Sequence, residues 1–173
     1  MCFSVRHFCA VLMLAMTSTA MATDSSPWPA VPSRLTLETP YGDLRVSSSD
    51  YVYESRLMLD GIEIQPLTKG LLNIPYAFSS PDFHVALVSI NTGDPVCAVT
   101  YRWIMLNDAG YTTTPRFGSC SESINVSARG ATFTLVTPSI DNPAELDHYL
   151  YDGKSVTKKT GVNTRPGRIG NRP

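Results

Sequence analysis

The sequence has few of the residues on which enzyme and metal chemistry most often depends. It holds three histidines in 173 residues, and only His84 and His148 lie beyond the N-terminal region. His84 sits in an apolar run, where a structural role is favoured over a catalytic one. His148 follows two carboxylates at no spacing typical of metal ligands. We therefore expect no metal site and no cofactor.

Recognised catalytic motifs are missing as well. The chain has no His-Glu-x-x-His, no glycine-rich phosphate loop and no calcium-loop spacing. The nearest approach to a nucleophile elbow is Gly118-Ser119-Cys120, which places cysteine where the elbow requires serine. The sequence therefore predicts a protein that is not an enzyme.

Charged residues and long apolar runs are also scarce. Charged residues make up 17% of the chain and its net charge is -1, whereas apolar residues make up 43%. That apolar content excludes a disordered chain, and no glycine or heptad period suggests collagen or a coiled coil. After the N-terminal region, no stretch approaches the roughly 18 apolar residues of a membrane helix. We expect one folded domain with no membrane span.

The N-terminus has the pattern of a secretory signal peptide. A short positive segment precedes the apolar run Phe8 to Met16, and Ala20-Met21-Ala22 matches a small-x-small cleavage site. We predict cleavage after Ala22, which removes residues 1–22 and places the mature protein in a bacterial periplasm.

Cleavage would leave two of the four cysteines, Cys97 and Cys120. A lone pair in an oxidising compartment is expected to form a disulfide. Closing this loop would contribute roughly 3 kcal/mol by the chain-entropy argument.

Alternation of apolar and polar residues, broken by turn dipeptides, runs through residues 34–158. Asp60-Gly61 is the strongest hairpin signal, because it tolerates the two positive φ angles of a type I′ turn. Residues 83–90 and 96–106 are apolar enough for central strands, and 149–157 favours a final hairpin. We predict an all-β fold, a single antiparallel β-sandwich or small barrel of about nine short strands with one disulfide.

Charge is unevenly distributed along the predicted mature chain. Residues 23–153 carry 15 acidic and seven basic side chains, while the last twenty residues carry six basic side chains and no acid. The acidic body disfavours nucleic acid and would speed encounter with a basic protein partner. The alternative is that this charge serves only solubility, since a net charge of this size is ordinary for a small secreted domain. Residues 23–33 and 159–173 lack an apolar face, and we predict a flexible N-terminal segment and a flexible basic tail.

One loop stands out as a candidate binding site. Phe117, Ser119, Ser121 and Glu122 surround Cys120, so the disulfide would tie this loop to the predicted strand that carries Cys97. A tied loop loses less entropy on binding. The alternative is that Cys120 only staples a sheet edge and the serines are turn residues facing solvent.

Taken together, the signal, the size, the cysteine pair, the FGSCS loop and the terminal YLYDGKSV hairpin resemble the architecture of small periplasmic immunity and inhibitor proteins of Gram-negative bacteria. Such proteins include the immunity proteins of type VI secretion. The chain lacks the Ser-Gly-x-x-Tyr segment and Lys-Gly loop of lysozyme inhibitors, which favours the immunity group.

The resemblance implies a protein that neutralises a peptidoglycan amidase or muramidase by occluding its active site. Phe117, Ser119, Ser121 and Glu122 would form the plug, with a hydroxyl bonded to the catalytic His or Cys and Glu122 paired with a basic rim. Two alternatives remain open. One is an adhesive or structural surface β-module that joins other domains by edge pairing, and the other is a small ligand binder with an apolar interior.

Overall fold

The computed structural model describes residues 28–48 and 54–162, so the predicted signal peptide lies outside the described residues. The described chain forms twelve β-strands and no helix, arranged in three antiparallel sheets of four strands. The all-β prediction is confirmed. The described residues form twelve strands in three sheets, where the sequence predicted about nine short strands in a single sandwich or small barrel.

Strands follow one another along each sheet as hairpins. The first sheet has the order β1 (Thr36–Leu37), β2 (Leu44–Ser48), β3 (Ser55–Leu59) and β4 (Ile62–Glu63). The central sheet has the order β5 (Leu71–Ser79), β6 (His84–Asn91), β7 (Val99–Asn107) and β8 (Gly110–Thr113). The third sheet has the order β12 (Val156–Val162), β11 (Glu145–Tyr151), β10 (Thr132–Pro138) and β9 (Asn125–Arg129).

The central sheet is covered on both faces. In β6, Ala86 and Val88 pack in a core with the first sheet, whereas Val85 and Leu87 pack in a separate core with the third sheet. Strands buried on both faces read as nearly continuous apolar runs, because neither set of alternating side chains meets water. This confirms the prediction of central strands over residues 83–90 and 96–106, which correspond to β6 and β7.

Two hairpins predicted from the sequence, one in the first sheet and one in the third, are confirmed. Asp60 and Gly61 have φ angles of 48° and 81°, and Leu59 pairs with Ile62 across them. Tyr151 pairs with Val156 in the last hairpin. β12 then continues to Val162, into the segment 159–173 that was predicted to be a tail.

Strand β5 has no counterpart among the predicted strands, and it contains Pro75. Proline lacks a backbone N–H and is tolerated in sheets at edges and bulges. β5 is the edge of the central sheet, and its register with β6 shifts between Asn73 and Tyr76. The Asn73 side chain accepts hydrogen bonds from Ser33 Oγ and Arg34 N at 3.0 and 2.8 Å. The last residue of the predicted flexible segment 23–33 is therefore attached to this edge.

Candidate binding site

The candidate site is built on residues 115–124, which connect β8 to β9 and are called the disulfide loop below. A disulfide between Cys97 and Cys120 joins it to the segment that leads into β7. The predicted pairing of these two cysteines is confirmed. Because β7 belongs to the buried central sheet, the cross-link attaches the loop to the most enclosed part of the fold.

Backbone pairing attaches the loop to β7 a second time. Tyr101 N donates to Phe117 O at 2.7 Å, and Phe117 N donates to Tyr101 O at 2.9 Å. Gly118, with a φ of +126°, follows directly, and a Cβ there would lie 2.9 Å from Tyr101 Cδ2. Glycine is required at this position both by the backbone angle and by the close approach to the ring.

The Tyr101 side chain adds a third connection. Its hydroxyl donates a 2.8 Å hydrogen bond to the carbonyl of Ser121. Burial raises the pKa of Tyr101, and the nearby Glu122 carboxylate raises it further, so the phenol remains a hydrogen-bond donor. The bond therefore holds the loop throughout the neutral pH range.

A polar cluster around a buried carboxylate attaches the loop to the third sheet. We call it the Asp147 cluster, and its members are Ser119, Asp147, Tyr149, Lys158 and Thr160. Ser119 Oγ donates to Asp147 Oδ2 and lies 2.9 Å from the Tyr149 hydroxyl. Thr160 Oγ1 donates to Asp147 Oδ1 at 2.6 Å, and Lys158 Nζ lies 2.9 Å from Asp147 Oδ2. Both oxygens of a fully buried carboxylate are thereby hydrogen-bonded.

Hydrogen bonding determines the protonation state of this cluster. Burial alone would raise the pKa of Asp147, but the bonds from Ser119, Thr160 and Lys158 together outweigh it and lower the pKa. The bond to Asp147 raises the pKa of Lys158 more than partial burial lowers it. The pair is therefore ionised across the neutral range, which stabilises the anchor of the loop.

The structure places the four predicted contact residues on one loop but not at one surface. Glu122 is exposed, and Phe117 and Ser121 are half-buried. Ser119 is only 5% exposed, and its hydroxyl is occupied inside the Asp147 cluster. We therefore correct the predicted role of Ser119: it cannot reach the catalytic group of a partner and is a positioning residue. The alternative view of Ser119 as a turn residue facing solvent is equally excluded.

Sequence reasoning missed Asp147, which it placed in a loop with His148. Both residues lie in β11, where Asp147, Tyr149 and Tyr151 point inward and His148 is exposed. The period of two that links Asp147 to the two tyrosines was the available signal. A carboxylate in an inward-facing position of a strand indicates a buried polar partner.

Three clefts border the disulfide loop. A large cleft of about 810 Å³ lies between residues 67–71, residues 91–93 and Arg116. The Glu122 cleft, of about 420 Å³, shares Leu71 and Asn91 with it. The Lys154 cleft, of about 390 Å³, lies on Phe117 and Tyr149 and shares Arg116 with the large cleft. Each of these three clefts is lined in part by a residue of the disulfide loop.

Two arginines fix the wall of the large cleft. Arg102 is buried, and its Nη1 donates to Pro66 O at 3.0 Å and to Thr68 Oγ1 at 2.9 Å. Arg116 Nη2 donates to Lys69 O at 3.1 Å. Burial, reinforced by the charge of Arg116, lowers the pKa of Arg102, yet arginine stays charged in proteins. These bonds tie residues 66–69 to β7 and to the disulfide loop.

The remaining candidates for chemistry are dispersed. His84 is half-buried and packs edge-on against Tyr41 with ring centroids 5.7 Å apart, and His148 is exposed. Among residues 28–48 and 54–162, no three His, Cys, Asp or Glu side chains are grouped in a way that could hold a metal ion. Nor does this part of the chain contain a helix of the length and apolarity needed to cross a membrane.

No protein-family model, curated protein or solved structure matches the chain. The site must therefore be interpreted from its own geometry.

Proposed function

We propose that this protein is a periplasmic inhibitor, an immunity protein that neutralises a peptidoglycan amidase or muramidase by covering its active site with the disulfide loop. The observation that carries the proposal is the loop itself. It is attached by the disulfide, by the pairing with Tyr101 and by the Asp147 cluster, and three clefts open around it. Each attachment is made by groups that a partner does not need to contact.

Rigidity is the property that an occluding loop requires. Immobilising a flexible side chain or loop on binding costs about 0.5–1.5 kcal/mol per side chain, so a loop held in advance binds more tightly. Within the loop, the attachments use buried Ser119 and half-buried groups, which leaves the exposed Arg116 and Glu122 side chains for a partner.

The exposed residues suggest how the partner is recognised. Arg116 and Glu122 are the exposed charged side chains of the loop, and Leu67 and Leu71 are each 49% exposed in the neighbouring clefts. Apolar side chains with a polar rim are the usual composition of a protein interface. In this proposal Glu122 pairs with the basic rim of the enzyme, and Phe117 and Ser121 contribute at the margin.

The acidic body supports a basic partner. Residues 23–153 carry eight more acidic than basic side chains, which would speed the encounter with a cationic wall-degrading enzyme. The predicted signal peptide would bring the inhibitor into the compartment where peptidoglycan is exposed. No cofactor is required for a role that consists of binding.

Capture of the partner tests the proposal directly. The oxidised mature chain, residues 23–173, is immobilised and exposed to periplasmic and secreted extracts at moderate salt, and bound proteins are identified by mass spectrometry. We expect one wall-degrading enzyme in a 1:1 complex, and loss of that enzyme's peptidoglycan hydrolysis when the inhibitor is added. Recovery of only this protein or of surface-assembly components would favour the adhesive module instead.

Paired variants locate the contact. Glu122→Arg combined with Leu71→Lys should weaken inhibition about 10- to 100-fold, since both alter the surface around the loop. The matched control is Glu38→Arg combined with Ile62→Lys, which makes the same change in net charge, because Ile62 is 74% exposed in the first sheet and Glu38 is exposed directly after β1. Equal inhibition by both double variants would remove the loop from the proposed interface.

A further inference from the structure

The Lys154 cleft differs in charge from the rest of the molecule. Its lining includes Arg116, Lys154 and Lys158, and none of the described residues that line it is a carboxylate. Residues 23–153 carry 15 acids and seven bases, so an all-cationic cleft departs from the average surface of the fold. Asp147 neutralises part of the Lys158 charge from beneath, and this leaves Arg116 and Lys154 to act on an occupant.

Aromatic rings form the floor between these cations. The Phe117 and Tyr149 ring centroids are 5.3 Å apart, and Lys158 Nζ lies 5.8 Å from the Tyr149 centroid. Half-buried Val156 completes the apolar part of the lining. The cleft therefore offers an apolar surface bordered by positive charge, which suits a peptide whose apolar side chains alternate with acidic ones.

The cleft opens onto the edge of a sheet. Ser155 and Val156 line it, and Val156 begins β12, the outermost strand of the third sheet. β12 pairs with β11 along one side, and within residues 28–48 and 54–162 no strand pairs with its other side. Residues 157–160 are exposed. An edge strand with unpaired N–H and C=O groups is a template for one more strand.

We propose that an extended acidic segment of another protein binds here, adding a strand to β12 and placing an end in the Lys154 cleft. Side chains of an added strand alternate between the two faces of the sheet. Lys158 pairs with buried Tyr149 and Lys159 with exposed His148, so the two lysines lie on opposite faces. Acidic residues on either face of the incoming strand would therefore meet a cation.

The same lysines argue against a second copy of this chain as the occupant. Two β12 strands paired edge to edge would bring four lysines together, and lysine on an edge strand is a common protection against such pairing. An anionic lipid or polyphosphate would use the cations but not the backbone of β12. An acidic strand uses both, which is why it is the preferred occupant.

This inference does not depend on the proposed inhibitory function. The two surfaces share Arg116 and Phe117, but peptide binding depends on β12 and Lys154, whereas the inhibitor interface centres on Glu122 and Leu71. Glu122→Arg with Leu71→Lys should therefore leave binding at β12 intact, and the two ideas can fail separately.

Fluorescence anisotropy with synthetic peptides tests the inference on the oxidised mature chain. The probe is a short labelled peptide of alternating Val and Glu, compared with the Val and Gln version and with a version N-methylated at alternate amides. We expect the acidic peptide to bind at least tenfold more tightly than either comparison peptide, and more weakly as salt rises. Amide hydrogen exchange over residues 156–162 should slow when the acidic peptide is bound.

Charge variants provide the second arm. Lys154→Glu with Lys159→Glu should weaken the acidic peptide about tenfold, while Arg45→Glu with Arg129→Glu makes the same change in net charge at distant exposed positions and should have little effect. Equal binding of the N-methylated peptide would mean an ionic contact only and overturn strand addition. No peptide binding up to millimolar concentration at low salt, or binding only to vesicles of anionic lipid, would overturn the inference as well.

Discussion

The two faces of the central sheet pack against their neighbours with different chemistry. The core shared with the first sheet is aliphatic, formed by Leu44, Val46, Leu57, Ile64, Leu72, Ile74, Ala86, Val88, Ile90, Ile104 and Leu106. The core shared with the third sheet contains Tyr101, Trp103, Phe133, Tyr149 and Tyr151. Neighbouring residues of one strand supply both, since Trp103 faces one core and Ile104 the other.

The difference explains where the candidate site is located. Aliphatic side chains carry no donors or acceptors, so the first core itself makes no hydrogen bond to the disulfide loop; on that face the buried Arg102 guanidinium bonds to Pro66 and Thr68. The aromatic core brings hydroxyl groups with it, and Tyr101 and Tyr149 use theirs to hold the disulfide loop. The buried carboxylate of Asp147 lies beside that core, where its hydrogen-bond partners are. The aliphatic core therefore stabilises the fold, whereas the aromatic core also positions the disulfide loop.

The largest expected effect comes from breaking the ion pair of the aromatic side. Lys158→Met removes the cation that neutralises Asp147, a carboxylate with no exposed surface. We expect the free energy of unfolding to fall by about 3 kcal/mol, at the low end for a buried pair, because the carboxylate stays buried without a counter-charge but the Lys158 side chain is itself 40% exposed. Urea denaturation of both proteins measures the change.

The first sheet provides the control for this variant. Arg56 and Glu63 form an ion pair at 3.5 Å, with side chains that are 68% and 26% exposed. Arg56→Met should cost roughly 0–1 kcal/mol, because exposed pairs contribute little. Equal losses for the two variants would contradict the structural role assigned to the ion pair of Lys158 and Asp147.

Removing the disulfide should have the next largest effect. Cys97→Ser with Cys120→Ser opens a loop with a sequence separation of 23 residues, and the chain-entropy argument gives a loss of about 3 kcal/mol. Calorimetry would measure the fall in stability, and hydrogen exchange should show faster opening around residues 115–124 than in β2 or β3. A uniform increase across all three sheets would mean that the cross-link stabilises the whole fold and does not specifically hold the loop.

Exchanging one core residue on each face compares the two cores directly. Phe133 contacts Phe78, Phe83, Trp103 and Tyr151 with ring centroids between 5.5 and 6.2 Å. Phe133→Leu should cost about 2 kcal/mol, since it leaves a gap and removes the ring contacts. Ile104→Val in the aliphatic core should cost about 1 kcal/mol. Thermal unfolding with calorimetry measures both, and a larger loss for Ile104→Val would reverse the comparison.

Variants of Ser119 and Ser121 compare a serine that anchors the loop with one that is proposed to contact a partner. Ser119→Ala removes the donor to Asp147 and should lower stability by about 1–2 kcal/mol. Ser121→Ala removes a single acceptor for the N–H of Ser123 and should cost about 0.5 kcal/mol. Chemical denaturation distinguishes them. Identical stabilities would mean that the buried hydroxyl of Ser119 contributes nothing to the anchor.

Titration of Asp147 should change the free energy of unfolding least near neutral pH, because the stabilisation provided by the ionised carboxylate is lost only in acid. The folded protein has a pKa for Asp147 below the ordinary 3.8, so the carboxylate stabilises the fold above that value and ceases to do so as pH falls through the folded pKa. Lys158 behaves in the opposite sense: its raised pKa adds stability below the ordinary 10.5, which is lost as pH rises through the folded pKa.

Asp147→Asn should therefore flatten the dependence of stability on pH at both ends. Denaturation midpoints measured across the acid and alkaline ranges check this, with the wild-type chain showing the steeper acid loss. Parallel curves for the two proteins would mean that other groups determine the acid limit.

Local sequence determined a large part of the fold. Alternation and turn residues act between neighbours, and they were sufficient to predict the Asp60-Gly61 hairpin and the paired strands around residues 83–106. The disulfide was predictable because only two cysteines remain after the predicted cleavage. Each of these features depends on contacts close in sequence or on a count of residues. None of them requires knowledge of how the sheets stack.

Tertiary structure alone decided which faces meet, and with them the character of the site. Ser119 and Asp147 are 28 residues apart, and nothing local indicates that their side chains bond in the interior. Pro75 marked β5 as unfavourable for a strand, yet an edge position accommodates it. The burial of one side chain is determined by the strand or loop that covers it, and that partner lies far along the chain. Sequence therefore predicted the strands, while packing selected which residues of the loop remain available to a partner.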